Sequence, residues 1–133
     1  MKMVERLRDA SNAHDAEAVA PLFAEDYRSS QPAHPSRAFV GRSKVLANWS
    51  SVFEGVPDFT ASLVEWTQEG DTEWAAWDWS GTHTDGTPFG MRGVTILTMR
   101  GELVAEGRLY LEPVEVGGAD IDSAVSDLYR RDG

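Results

Sequence analysis

The sequence contains no cysteine, which excludes disulfide bridges, thiolate zinc sites and cysteine nucleophiles. It is also poor in positive charge. Twelve Lys and Arg stand against 22 Asp and Glu, a formal net charge of -10 over 133 residues. A chain this acidic, with a pI near 4.6, repels phosphate, so neither a nucleic acid nor an anionic membrane surface is expected as a partner. Long apolar runs are missing as well: MKMVERLRDA is no secretory signal, and nothing is long enough to span a bilayer. The expectation is a cytoplasmic protein. Neither a Gly-rich phosphate loop after a strand nor a nucleophile elbow occurs. His14, His34 and His83 have no ligand spacing, so no metal and no cofactor are expected.

What is present fills one core, since 41% of residues are hydrophobic. Val4, Leu7, Ala10 and His14 recur at helical spacing, and this first helix should end near 12–14. Asp15 is placed to cap a second helix carrying Val19, Leu22 and Phe23, with Pro21 kinking it. EDYRSSQPAHPSRAF reads as a short extended piece and a proline-rich loop. A third helix is expected over about 43–54, with Val45, Leu46, Trp49, Val52 and Phe53 on one stripe and Gly55 and Pro57 as its stop.

From Asp58 the hydrophobic period becomes two. Four strands are expected at about 58–68, 73–83, 88–100 and 102–114, joined by EGDT, Asp85-Gly86 and Arg100-Gly101-Glu102. A last helix around 120–130 follows the Gly117-Gly118 pair. The pattern predicts an α+β fold, a curved antiparallel sheet wrapped around the N-terminal helices as a cone with a short C-terminal helix. Residues 1–116 would form the cone domain and 117–133 a helical tail.

The helical start, HDAEAVAPLFAEDY, the GRSKV helix start, GTHTDG and RLYLEPVE, in this order over about 4–115, resemble the nuclear transport factor 2-like superfamily, and within it the SnoaL-like group. The resemblance implies relatives among polyketide cyclases, limonene-epoxide hydrolases and ketosteroid isomerases. These use the cone as an apolar pocket with buried carboxylates, while other members only bind or dimerise. Function must therefore be argued from the site.

Laid without gaps on the epoxide hydrolases, Asp78 takes the place of the acid that protonates the epoxide. Ala76 replaces their arginine and Leu109 their water-activating base, also the acid/base position of the cyclases, and a one-residue slip would bring Arg108 there instead. Ser29 and Gln31 fall where a tyrosine and an asparagine hold the water. Against the isomerases, Gln31 stands at the base, Leu7 near the oxyanion tyrosine, and Val94 or Thr95 near the protonated acid. On the last strand Glu106 and Glu112 alternate away from the apolar face of Leu103, Ala105, Leu109 and Leu111, so neither is assigned a role.

The stretch WAAWDWSGTHTDG carries the central ambiguity. Hydropathy alone turns Trp77 and Trp79 inward and Asp78, Ser80 and Thr82 to water. The register implied by the resemblance turns Asp78 inward and leaves Trp77 and Trp79 on the outer face, with Arg108 and Tyr110, as a homodimer interface. That register is the expectation carried forward. It makes Asp78 the catalytic acid or base and Tyr27, Ser29, Gln31, His34, Trp49, Ser80, Met91, Thr95, Leu109 and Leu111 the ligand-binding set.

Two functions then compete. One is a cofactor-independent isomerase, cyclase or epoxide-opening enzyme acting on a small apolar molecule. The other is a dimeric small-molecule-binding module that has lost the relatives' carboxylates, as Leu109, Gln31 and Ala76 suggest.

Overall fold

The chain is seen in a computed structural model that describes residues 1–130; residues 131–133, the end of the expected tail, lie outside the described residues. Helix α1 spans Met3–Asn12, and α2 is a single turn, Ala16–Val19. The second helix does not continue to Phe23. Pro21 instead sits in a 3-10 turn over Ala20–Leu22, where its missing N–H costs nothing, and Phe23 already begins strand β1, Phe23–Ser30. A 3-10 turn at Pro35–Arg37 and the two-residue β2, Phe39–Val40, lead into α3, Arg42–Gly55. Then come β3 (Thr60–Glu69), β4 (Thr72–Thr82), β5 (Pro88–Arg100) and β6 (Leu103–Pro113), and finally α4 (Ile121–Tyr129).

The sheet is larger than the expected meander and is mixed. Its order is β2-β1-β6-β5-β4-β3, with β1 parallel to β6 and all other pairs antiparallel. The helices α1, α2 and α3 cover its concave side, and Val4, Val19, Phe59 and Val104 are sealed at the core. The fold is thus α+β, a cone of helices on a curved sheet.

Polar clamps from distant residues hold the helices to the sheet. Glu73 of β4, 3% exposed, accepts the N–H groups of Val4 (3.0 Å) and Met3 (3.3 Å), two of the donors that a helix N-terminus leaves free. At the other end of α1, the Asn12 amide pairs with Ala61 as a strand would, giving to its carbonyl at 3.0 Å and taking its N–H at 2.7 Å. His14, in the left-handed region at φ 56°, lies 2.6 Å from the Phe59 carbonyl through Nε2, which must carry its proton to donate. Helix α4 is capped by Asp120, but Ile121, Val125 and Leu128 remain exposed. Among the described residues no helix is long and apolar enough to cross a membrane.

Candidate functional site

Tyr27 and Ser29 alternate onto the inner face of β1, and Phe39 joins them from β2 opposite Ser29. Helix α3 adds Val45, Asn48, Trp49 and Val52 at the spacing of one helical face. Trp77 and Trp79 of β4, Thr95 and Leu97 of β5 and Leu109 of β6 supply the sheet wall, and Leu7 and Ser11 of α1 and Phe23 complete it. Together they enclose a cavity of about 260 Å³.

Six of its lining residues are aromatic, and its polar groups are neutral: the hydroxyls of Ser11, Tyr27, Ser29 and Thr95 and the amides of Gln31 and Asn48. Among the described residues no carboxylate, imidazole, ammonium or guanidinium lines it. Tyr27 packs its ring across Gly107 of β6, where any side chain would run into the phenol, so this glycine creates the place the tyrosine occupies. Burial pushes the Tyr27 phenol above the usual tyrosine range, partly offset by the Ser29 hydroxyl, so the hydroxyl stays protonated.

The wall's orientation is fixed by one buried hydrogen bond, from Trp77 Nε1 to Thr95 Oγ1 at 2.9 Å. Trp79 stands two residues on, edge-on to Trp49 and Phe59, with its Nε1 buried and without an acceptor.

Strand parity then decides Asp78, and it corrects the expectation. Asp78 lies on the face away from the cavity, opposite Arg92 of β5, whose Nε is 3.5 Å from its carboxylate. The pair is largely solvated, with 42% of the Asp78 side chain exposed. Ser80 shares that outer face and is exposed, so it leaves the ligand-binding set. Trp77 and Trp79 leave the proposed outer interface for the same reason, since both line the cavity. Plain alternation of hydropathy gives the observed face; the ungapped register gives the opposite one, as any odd slip along a strand does.

The other expected residues divide. Tyr27, Ser29, Gln31, Trp49, Thr95 and Leu109 all line the cavity. Leu111 and Met91 point to the same side but pack into the core beyond it. His34 is not in the wall; it sits on the loop before the Pro35–Arg37 turn, with Nε2 2.6 Å from Glu112. Arg108 and Tyr110 do occupy the outer face, Tyr110 being 41% exposed. Ser11, Phe23, Phe39, Val45, Asn48, Val52 and Leu97 line it without having been in the expected set; Val45 and Val52 carried a signal, since both share the predicted helical stripe with Trp49.

Residues 4–107 match the SnoaL-like domain. The chain belongs to this family. No curated protein sequence matches it. Solved structures that this SnoaL-like domain resembles include IdmH of Streptomyces antibioticus, a candidate polyketide cyclase, at 23% identity and TM-score 0.72 over 83% of this chain and 89% of that one. A protein with a ketosteroid isomerase-like fold from Catenulispora acidiphila, in complex with trimethylamine, superposes at TM-score 0.71 with 19% identity, over 80% and 82% of the two chains. A SnoaL-like candidate cyclase from Jannaschia sp. does so at TM-score 0.70 with 20% identity, over 93% and 87%. At these identities the likeness is one of fold.

Proposed function

We propose that this SnoaL-like domain binds a small, predominantly apolar molecule in its cone. The observation that carries the reading is the chemistry of the wall: six aromatic side chains and several aliphatic ones around a cavity of about 260 Å³ with only neutral polar groups. Such a wall rewards burial of a ring or short chain, while a few hydroxyls and amides orient its oxygens. The carboxylates that the resemblance led one to expect in such a pocket have no counterpart in this wall, which favours binding over proton shuttling. Titrating aromatic hydrocarbons and alcohols while following tryptophan emission tests it. Saturable quenching with a raised melting temperature is expected, and Leu109→Trp, which fills the cavity, should abolish both. If no such probe quenches or stabilises, the reading falls.

A second reading keeps catalysis, and one observation favours it. The buried, protonated Tyr27 side chain belongs to the cavity wall, where its hydroxyl could hydrogen-bond a carbonyl and stabilise an enolate, with water taking the α-proton because the wall supplies no base. The likeness to candidate polyketide cyclases points the same way. Turnover of a cyclisable ketone that Tyr27→Phe abolishes without loss of binding would establish it; unchanged turnover in that variant would remove it.

The outer sheet face is the surface we assign to a second copy of the chain. Trp74, 42% exposed, covers the buried Ile96, and Tyr110, 41% exposed, stands opposite the half-buried Val94, so apolar side chains recur on this face across three strands. Asp78, Arg92, Arg108 and Glu112 flank it with both signs of charge, which a two-fold axis can pair with themselves. Sedimentation should give a dimer that Trp74→Glu converts to monomer; a monomeric parent protein would exclude the assembly.

A further inference from the structure

Between Asp26 and Glu54 the chain has no acidic residue, yet it carries Arg28, His34, Arg37, Arg42 and Lys44. In a protein of net charge -10 this is a local reversal of sign. The same stretch supplies half of the residues that line the cavity.

Its bases are not equivalent. Arg42 donates Nε to the Phe23 carbonyl at 2.8 Å, and Arg28 lies in register with Glu106 and Val40 on the outer face. His34 is engaged with Glu112. Arg37 differs from all of them. Its Nη1 donates to Oε1 of Gln31 at 3.0 Å, and Gln31 is part of the cavity wall. Among the described residues no carboxylate lies within ion-pair distance of Arg37. A guanidinium has five N–H donors, so most of its fork remains open one side chain away from an uncharged apolar cavity.

We infer that the cavity takes an apolar carboxylate, with its ring or chain against the tryptophans and its anionic end on Arg37. The inference rests on the binding reading above and deepens it. Gln31 has two jobs in this arrangement: its carbonyl oxygen holds the guanidinium in place, and its NH₂ can donate to the same anion. The Glu112 carboxylate lies at the same end of β6 but is occupied by His34 Nε2 at 2.6 Å. The remaining negative charge of the protein acts over longer range and is screened beyond ~8 Å at physiological salt, so it slows encounter more than it weakens contact.

The test compares a naphthoate with the corresponding naphthalenemethanol, two probes of nearly equal shape, on the full chain and on Arg37→Gln. Charge-assisted pairing with arginine predicts a preference for the carboxylate of about 10-fold or more in the parent protein. Arg37→Gln should remove that preference and leave the alcohol's affinity unchanged. Arg37 is exposed, and an unaltered melting curve checks that the variant folds. Equal affinity for the two probes in the parent, or a preference that survives Arg37→Gln, overturns the inference while leaving the pocket intact. Binding of neither probe overturns both readings.

Discussion

Trp77 donates its indole N–H to Thr95 Oγ1 at 2.9 Å, across two neighbouring strands and inside the protein. Trp79, on the same face, has the same donor buried and no acceptor for it. The pair gives an internal comparison. Trp77→Phe removes aromatic volume and also leaves the Thr95 hydroxyl without its donor, and should cost about 2–3 kcal/mol. Trp79→Phe removes similar volume but no hydrogen bond to another described residue, so about 1–2 kcal/mol is expected. Denaturant unfolding of the two variants measures the difference; equal costs would show that the hydrogen bond contributes nothing.

Gly107 and Tyr27 make a second pair. Gly107→Ala places a methyl group against the phenol and must drive the ring toward the cavity. A cost of about 1–3 kcal/mol is expected from overpacking, together with weaker binding of apolar probes. Adding Tyr27→Phe removes the nearest atom and should recover part of that cost, so the two substitutions will not add. A double-mutant cycle by thermal unfolding reads the coupling.

The carboxylate of Glu73 adds a distant cap to the local one at the start of α1, where Glu5 already accepts the Lys2 N–H at 3.0 Å. Glu73→Gln keeps one acceptor and should be tolerated better than Glu73→Leu, which strands both N–H groups at a buried site for about 2–4 kcal/mol. Hydrogen exchange should show the loss first at the amides of Met3 and Val4.

Asp58 gives the acid dependence. Its carboxylate accepts the Thr82 N–H at 2.6 Å, and this bond holds its pKa below the usual aspartate value. Because the folded value is the lower one, the contribution is complete above the unfolded value of ~3.9 and is lost as pH falls through the folded one. Asp58→Asn still offers an oxygen to Thr82. Without the charge it should be somewhat less stable at pH 7, converge on the parent protein in acid, and so flatten the fall of melting temperature below about pH 4. An unchanged acid slope would locate that dependence elsewhere.

Much of this architecture was legible because its signals are local. The Val45, Trp49, Val52 stripe, the Gly55-Val56-Pro57 stop and the Asp85-Gly86 turn each lie within a few residues of the element they define, and α3 and the β4–β5 hairpin follow them. The parallel pairing of β1 with β6 has no such signal. Nothing in FAEDYRSS announces a partner some eighty residues away in VAEGR, and the pattern predicts a simpler sheet than the one that forms.

The site divides along the same line. Residues whose side chains follow from helical or strand period, such as Trp49, Tyr27 and Leu109, were placed correctly on the cavity. Asp78 was misplaced because its face was taken from a register laid across several loops rather than from the bulk of its own neighbours. Two indoles and Ala75 need burial more than one aspartate does, and an arginine across the strand serves the aspartate in water.

The pairing of β1 with β6 also sets an order of events. During synthesis α1, α2 and β1 emerge before β6, and the strand that β1 must lie against follows it by some eighty residues. Until then Tyr27 has no Gly107 to rest on and the cavity has no far wall. The pocket therefore cannot close before β6 is made, and a chain interrupted there would have the three helices, the β3–β4 and β4–β5 hairpins and nowhere to hold a ligand.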